Sequence, residues 1–214
     1  MSESKISPEG GRSIGRCSRI VILAALALAQ MHAAGAGETA PIRIVAIGAS
    51  NTSGWGVGSA AAYPARLEAL LRQCGYDVRV ANAGVPFETT NGMLRRIDVD
   101  VPDGTRAVVI QPGGNDLRFL GTVERRTSNI QAMMARLKPR GIVPILYDPV
   151  FPAEIYQWDR IHITAEGHGW IAQNLLPEVI AAISPRRDNA VVLNTSPARG
   201  ERSAGPCGGG VVRR

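Results

Sequence analysis

Hydrophobic residues recur along this chain with two spacings, which predict strands that alternate with helices. Short apolar or alternating runs predict four strands, at residues 41–48, 77–81, 106–111 and 142–146. Apolar positions three and four apart predict helices at residues 63–74, 89–96, 122–138 and 164–183. This alternation predicts an α/β fold, in which a parallel sheet carries helices on both faces.

Two of these elements carry signals at particular residues. Pro144 cannot donate a hydrogen bond to a neighbouring strand, which predicts that the fourth strand lies at an edge of the sheet. Thr164 is the predicted N-cap of the last helix, and Glu166 in its first turn favours the helix dipole.

The two ends of the chain differ from the segment between them. Arg12, Arg16 and Arg19 precede the apolar run 20–29, and a small-residue pattern follows at 34–36. This pattern predicts a signal peptide over residues 1–36, a single folded domain over 37–183 and a periplasmic or secreted protein. The run is shorter than the about 20 residues of a membrane span, so no stable span is expected after cleavage; an uncleaved anchor is the alternative. Residues 184–214, rich in Arg, Pro, Gly and Ser, are predicted to form a disordered tail.

Charge and cysteine content narrow the classes of partner and compartment. The net charge is +6, but residues 37–183 hold fourteen basic and fourteen acidic side chains, so no nucleic-acid partner is predicted. Cys17 lies in the predicted signal peptide. Cys74 is predicted to be a small buried side chain, and its pairing with Cys207 in an oxidising compartment is left open.

The chemistry centres on a serine that follows the first predicted strand. Ser50 comes directly after the strand-ending residues 48–49 (Gly-Ala), in a turn that would hold it above the sheet edge. A serine needs a base to act as a nucleophile, and residues 159–162 (Asp-Arg-Ile-His) supply an imidazole with a nearby acid. We therefore predict Ser50 as nucleophile, His162 as base and Asp159 as the acid that orients it. A turn serine and a surface Asp–His pair are the simpler alternatives.

Two further polar positions follow the second and third strands. Gly84 is predicted to donate its backbone N–H, and Asn115 its side-chain amide, to a developing oxyanion. In parallel sheets such sites form at the carboxyl ends of the strands, although ordinary turn roles for both residues stay open. Asp116 and Asp148 are weaker candidates for the acid. His168 would not share a helix face with His162, so it is expected to be a surface or packing residue, and no metal site is predicted.

These motifs together resemble those of the SGNH/GDSL hydrolases over residues 41–183. The matching segments are residues 48–50, 82–84, 113–116 and 159–162, in the family's order. The resemblance implies a flavodoxin-like three-layer sandwich with a short parallel sheet. It implies a triad of Ser50, His162 and Asp159, with an oxyanion hole of the Ser50 and Gly84 N–H groups and the Asn115 side chain. It also implies hydrolysis of small-molecule acyl esters or thioesters without a metal or other cofactor, most like the lysophospholipase/acyl-CoA thioesterase I branch.

The chain departs from the family pattern at two places. Ala49 stands where the family has aspartate, and we expect Asn51 to supply the missing hydrogen bonds around the turn. The connection between the fourth strand and Asp159 is short, which predicts a sheet with one strand fewer than in many relatives. Two other functions stay open: a carbohydrate acetylesterase, and a catalytically inactive binding module on the same fold.

Overall fold

The protein contains a four-stranded parallel sheet with helices on both faces. The structure, a computed structural model, describes residues 40–119, 121–185 and 207. The strands are β1 (Ile42–Gly48), β2 (Val78–Gly84), β3 (Thr105–Gln111) and β4 (Val143–Leu146), in the order β2-β1-β3-β4. The α-helices of the described residues are α1 (Ser50–Ser53), α2 (Tyr63–Gln73), α3 (Thr90–Asp100), α4 (Asn115–Arg118), α5 (Val123–Leu137) and α6 (Ala165–Ile183). The predicted α/β fold is confirmed, and β4 lies at the sheet edge.

The core consists of two apolar layers, one on each face of the sheet. Successive side chains of a strand point to opposite faces, and both faces of the central strand β1 are covered. Ile44 and Ala46 pack on one side with α2 and α6, while Val45 and Ile47 pack on the other with α3 and α5. The continuous apolar run of β1 thus produces the three-layer sandwich.

The observed elements differ from the predicted ones mainly at their ends. β2 continues to Gly84 instead of ending at residue 81, because its pairing with β1 extends through Ala46–Asn82 to Gly48–Gly84 despite exposed side chains. α3 continues to Asp100, where the Arg96–Asp100 ion pair joins residues four apart. The one-turn helices α1 and α4 were not predicted, since four residues are too short to show a helical period.

The start of α6 agrees with its predicted cap. The Thr164 hydroxyl oxygen accepts a hydrogen bond from the Gly167 N–H at 3.0 Å, which satisfies one of the free donors of the first turn. This cap fixes where α6 begins, immediately after the loop that carries Asp159 and His162.

A disulfide links Cys74, which follows α2, to Cys207, with 5.4 Å between their Cα atoms. The open question of their pairing is thereby resolved, and Cys74 is half-buried rather than a free buried thiol. The predicted signal peptide lies outside the described residues, as does the predicted tail beyond residue 185 except Cys207. None of the described helices has the length and hydropathy needed to cross a membrane.

His168 is a fully buried packing residue in α6. Its Nδ1 accepts a hydrogen bond from the Tyr63 N–H at 3.1 Å, and its ring stacks on Tyr63 with 6.4 Å between centroids. Burial lowers the pKa of His168 to about 4, with a smaller contribution from the charge of Arg66, so the ring is neutral at physiological pH. Of the two roles expected for His168, the structure shows packing.

Candidate active site

Ser50 begins the short helix α1 at the carboxyl end of β1. Its carbonyl oxygen accepts hydrogen bonds from the Gly54 N–H at 3.1 Å and from the Ser53 hydroxyl at 2.8 Å, so the turn is closed by its own residues. Ala49, in the position before Ser50, packs in the apolar layer with Val45 and Ile47 and makes no side-chain cap. The side chain of Ser50 is therefore held at the sheet edge by backbone geometry.

Two strand-ending glycines make room for this helix. A Cβ atom on Gly48 would lie 2.0 Å from the Thr52 Oγ1, and one on Gly84 would lie 2.2 Å from the Ser53 nitrogen. Any side chain at either position would push α1 away from the strand ends. Close packing of α1 against β1 and β2 thus explains both glycines.

Asp159 and His162 form a hydrogen-bonded pair in the loop before α6. The Asp159 Oδ2 lies 2.6 Å from the His162 Nδ1, while Oδ1 accepts the backbone N–H groups of Ile161 and His162 at 2.9 and 3.0 Å. The hydrogen bonds from the His162 and Ile161 N–H groups, followed by that from the imidazole, lower the pKa of Asp159 to about 2. The carboxylate therefore stays ionised at neutral pH and orients the imidazole, with Nε2 left to act as a base.

Asn51 connects this loop to the serine turn. Its side-chain Nδ2 donates to the Ile161 carbonyl at 3.3 Å, and its Oδ1 accepts from the Ile163 N–H at 3.2 Å. The two bonded residues flank His162, so one amide fixes the position of the imidazole relative to Ser50. The expectation that Asn51 bonds within its own turn was wrong, because Ser53 and the backbone already satisfy that turn.

Trp55 forms a second connection between the serine and the histidine. Its backbone N–H donates to the Ser50 carbonyl at 3.0 Å. Its indole ring stacks on the His162 ring, with 5.7 Å between centroids and 27° between planes. Among the described residues, no hydrogen bond joins the Ser50 hydroxyl to His162. Such bonds are often long in unliganded sites and shorten when substrate binds.

The two predicted oxyanion donors differ in their surroundings. Asn115 is buried at the start of α4, where its Nδ2 donates one hydrogen to the Glu88 carbonyl at 2.9 Å and keeps a second for a ligand. The Gly84 N–H instead donates to the Asn82 Oδ1 at 3.0 Å, so Gly84 could serve an oxyanion only after Asn82 releases it. Asn115 thus has a spare N–H at the cavity wall, whereas the Gly84 N–H is occupied, and the oxyanion role of both residues stays a prediction.

The two weaker candidates for the acid have other partners. The Asp116 carboxylate accepts from the Thr90 hydroxyl at 2.6 Å and from the Thr90 N–H at 3.0 Å, which holds the first turn of α3. Asp148 forms an ion pair with Arg126 at 2.7 Å. Both carboxylates have structural partners, and Asp159 is the acid that contacts His162.

A cavity of about 440 Å³ opens beside Ser50 and Asn115. Its apolar wall includes Leu117, Val123, Phe151 and Tyr156, and its charged wall consists of Arg118, Arg126, Arg160 and Asp148. In the part of the chain that the structure describes, no group of three or more His, Cys, Asp or Glu side chains could hold a metal ion. The cavity can accommodate a small amphiphilic molecule next to the candidate nucleophile.

A serine at a strand end, an Asp–His pair and a buried amide donor at one sheet edge are typical of serine hydrolases. Residues 46–191 match the model of the GDSL-like Lipase/Acylhydrolase family, and since this is more than half of the chain, the protein belongs to that family. It is accordingly an ester-bond hydrolase by family. A comparison with curated proteins found no match.

Solved structures of similar proteins have the same fold. TesA is 20% identical, with a TM-score of 0.61 over 66% of this chain and 99% of its own. The lipase/acylhydrolase from Enterococcus faecalis is 20% identical, with a TM-score of 0.59 over 68% and 99% of the two chains. The psychrotrophic esterase EstA from Pseudoalteromonas sp. is 17% identical, with a TM-score of 0.57 over 65% and 97%. At these identities the likeness concerns the fold.

Sequence reasoning missed Trp55 and the arginines of the cavity as parts of the site. Trp55 lies in a glycine-rich stretch at residues 54–58, which signals only turns. Arg118 lies outside the motif segments, and Arg160 lies within residues 159–162 but was given no role there. Their position beside the cavity arises from loops that the tertiary structure brings together.

We expect Asn51→Ala to lower kcat about 10- to 100-fold while KM changes little, because the imidazole loses its fixed distance from Ser50. Steady-state kinetics on a soluble ester would measure this, with melting temperatures to confirm folding. Asn174→Ala is the matched control, since the exposed Asn174 amide donates only within α6. A folded Asn51→Ala protein with full kcat would show that the bridge has no role in catalysis.

Proposed function

We propose that this protein is an exported serine esterase that hydrolyses acyl esters or thioesters through Ser50, His162 and Asp159. The observation that carries the proposal is the link between the Asp159–His162 pair and the serine turn through Asn51, beside a cavity lined by Ser50 and Asn115. These residues are far apart in sequence and meet at the carboxyl edge of the sheet, where parallel folds form their sites.

In the first half of the reaction, His162 Nε2 takes the proton of the Ser50 hydroxyl as Oγ bonds to the substrate carbonyl carbon. The carbonyl oxygen becomes an oxyanion, which the Ser50 N–H and the Asn115 amide stabilise. The tetrahedral intermediate collapses, the bond to the leaving oxygen or sulfur breaks, and the leaving group takes the proton from the imidazolium. Asp159 stabilises that imidazolium while remaining ionised.

In the second half, water replaces the leaving group. His162 removes a proton from water, whose oxygen bonds to the acyl carbon, and a second oxyanion forms in the same place. Its collapse breaks the bond to Ser50 Oγ and returns the proton to the serine, which releases a carboxylic acid.

A lysophospholipase- or thioesterase-like substrate is supported by the apolar side chains in the cavity wall, which can contact an acyl chain. A panel of acetylated sugars, lysophospholipids and acyl thioesters would distinguish this substrate class from a carbohydrate acetylesterase.

Two observations support a periplasmic or secreted location. The first is the basic and apolar pattern of residues 1–36. The second is the Cys74–Cys207 disulfide, since such bonds persist in oxidising compartments. N-terminal sequencing of the exported protein, expected to begin near Gly37, would test this location.

Covalent labelling tests the catalytic proposal directly. The EstA structure is of that enzyme inhibited by monoethylphosphonate, and a fluorophosphonate probe should likewise label one serine here. We expect peptide mass spectrometry to find the label on Ser50, with no labelling of Ser50→Ala and normal labelling of the exposed-serine control Ser59→Ala. A folded wild-type protein that takes up no label, or takes it at another serine, would support an inactive binding module or another nucleophile.

A further inference from the structure

Exposed hydrophobic side chains concentrate at one edge of this protein. Among the described residues, eleven large hydrophobic side chains are exposed, and ten of them lie between the carboxyl end of a strand and the first residue of the next long helix (α2, α3, α5 or α6). That edge also carries Ser50. The exception is Val99, near the end of α3. Exposed apolar residues concentrated in this way mark an interaction surface.

Six of these residues line the cavity or lie within two residues of its wall along the chain, and we call them the apolar edge: Leu117, Phe119, Val123, Val150, Trp158 and Ile161. Val150 is 98% exposed and Trp158 is 94% exposed, so neither contributes to the core. Val150 stands between Pro149 and Phe151, which both line the cavity. A partner that covers Val150 would therefore lie beside the cavity.

The charge of the cavity wall indicates which sign of charge that partner carries. Arg118, Arg126 and Arg160 line the cavity, against Asp148 as the one acidic side chain of its wall in the described residues. Arg126 is paired with Asp148, whereas Arg118 and Arg160 form no ion pair within the described part of the chain. Glu124 and Glu154 are exposed in neighbouring segments but outside the cavity wall. The cavity wall itself thus carries more basic than acidic side chains, while the two glutamates and the ionised Asp159 lie outside it.

We propose that the apolar edge docks on a lipid surface that carries negative charge, so that the enzyme takes its ester substrates from that surface. The proposal rests on the proposed function, since it concerns the entrance to the same site. A tryptophan and aliphatic side chains with nearby arginines match the boundary between acyl chains and anionic head groups. Docking in this orientation places the cavity, and Ser50 within it, against the surface.

Vesicle binding tests this docking without any turnover. Vesicles of phosphatidylglycerol mixed with phosphatidylcholine should bind the protein and shift its tryptophan emission to the blue, and phosphatidylcholine alone should bind it much more weakly. Trp158→Ser should weaken binding to the anionic vesicles about 10-fold, because it removes a large apolar side chain from the interface. Arg118→Gln should weaken it about five-fold, and added salt should reduce that difference.

Two matched control variants distinguish binding through the apolar edge from non-specific binding to vesicles. Val99→Ser removes an exposed valine outside the apolar edge, and Arg43→Gln removes an exposed arginine near the amino end of β1, at the opposite side of the sheet. Neither should change vesicle binding. Every variant keeps the segments outside the described residues unchanged. Any vesicle binding that those segments contribute is therefore the same in all variants and does not affect the comparison.

The outcomes separate this inference from the proposed function. Equal binding by wild type and Trp158→Ser, or Trp158→Ser changing self-association in sedimentation instead of vesicle binding, would overturn the docking. If Ser50-dependent hydrolysis of a soluble ester persists in that case, the proposed function stands. Vesicle binding that depends on Trp158 and Arg118, but not on Val99 and Arg43, would support the docking even if no ester were hydrolysed.

Discussion

Ser50→Ala and His162→Ala should each lower kcat for a soluble ester by about 10⁴- to 10⁶-fold while the protein remains folded. In the proposed mechanism, Ser50 Oγ forms the bond to the acyl carbon, and His162 moves the proton in every step. Because members of a triad act as a unit, the double variant should lose little more than either single variant. Initial rates at saturating ester, with active-site titration of the wild type, would measure these changes.

The control for this pair is His168→Gln, which changes the other described histidine. His168 is buried against Tyr63 and forms no hydrogen bond with Asp159 or His162 in the described residues, so its replacement should affect stability far more than the chemical step. Turnover close to wild type by a folded Ser50→Ala protein would refute the assignment of the nucleophile.

Asn115→Ala should lower kcat by about 10²- to 10³-fold, the usual loss for one oxyanion donor. KM should change much less, because the hydrogen bond strengthens only as negative charge develops on the carbonyl oxygen. Kinetics under saturating and limiting substrate would separate the two constants.

Asn129→Ala is the matched control for Asn115→Ala. Each substitution removes one protein hydrogen bond of an amide Nδ2, to the Glu88 carbonyl for Asn115 and to the Thr90 hydroxyl for Asn129, but Asn129 does not line the cavity. Similar losses of stability with a fall in kcat only for Asn115 are expected. A rise in KM with unchanged kcat would identify Asn115 as a binding residue instead.

The order of elements could be predicted because each depends on short-range patterns. The apolar run of β1 is buried on both faces, as its composition indicates, and Thr164 caps α6 through residues three apart. The ends of β2 and α3 were misplaced, because pairing with β1 and an ion pair extend them beyond their apolar pattern. Local periodicity thus determines which elements form, while contacts with other elements determine where they end.

The candidate site divides in the same way. The Asp159–His162 pair could be predicted, since three residues in one loop keep the two side chains close. The hydrogen bond that occupies the Gly84 N–H could not be predicted, because it depends on the rotamer of the Asn82 side chain. The effect of Ala49 was also predicted wrongly. Hydrogen bonds from Ser53 and the backbone close the serine turn, so the Asn51 side chain does not have to replace bonds that an aspartate would make.

By itself, the sequence determined the α/β class, the positions of Ser50, Asn115, Asp159 and His162 after strands or before a helix, and the family resemblance. Only the tertiary structure decided that Asn51 bonds across 110 and 112 residues to the histidine loop and that Cys74 pairs with Cys207. It likewise decided which side chains surround the cavity. The physical reason is that a residue's intrinsic preferences act over a few neighbours, whereas these contacts form only after the sheet has brought distant loops to one edge.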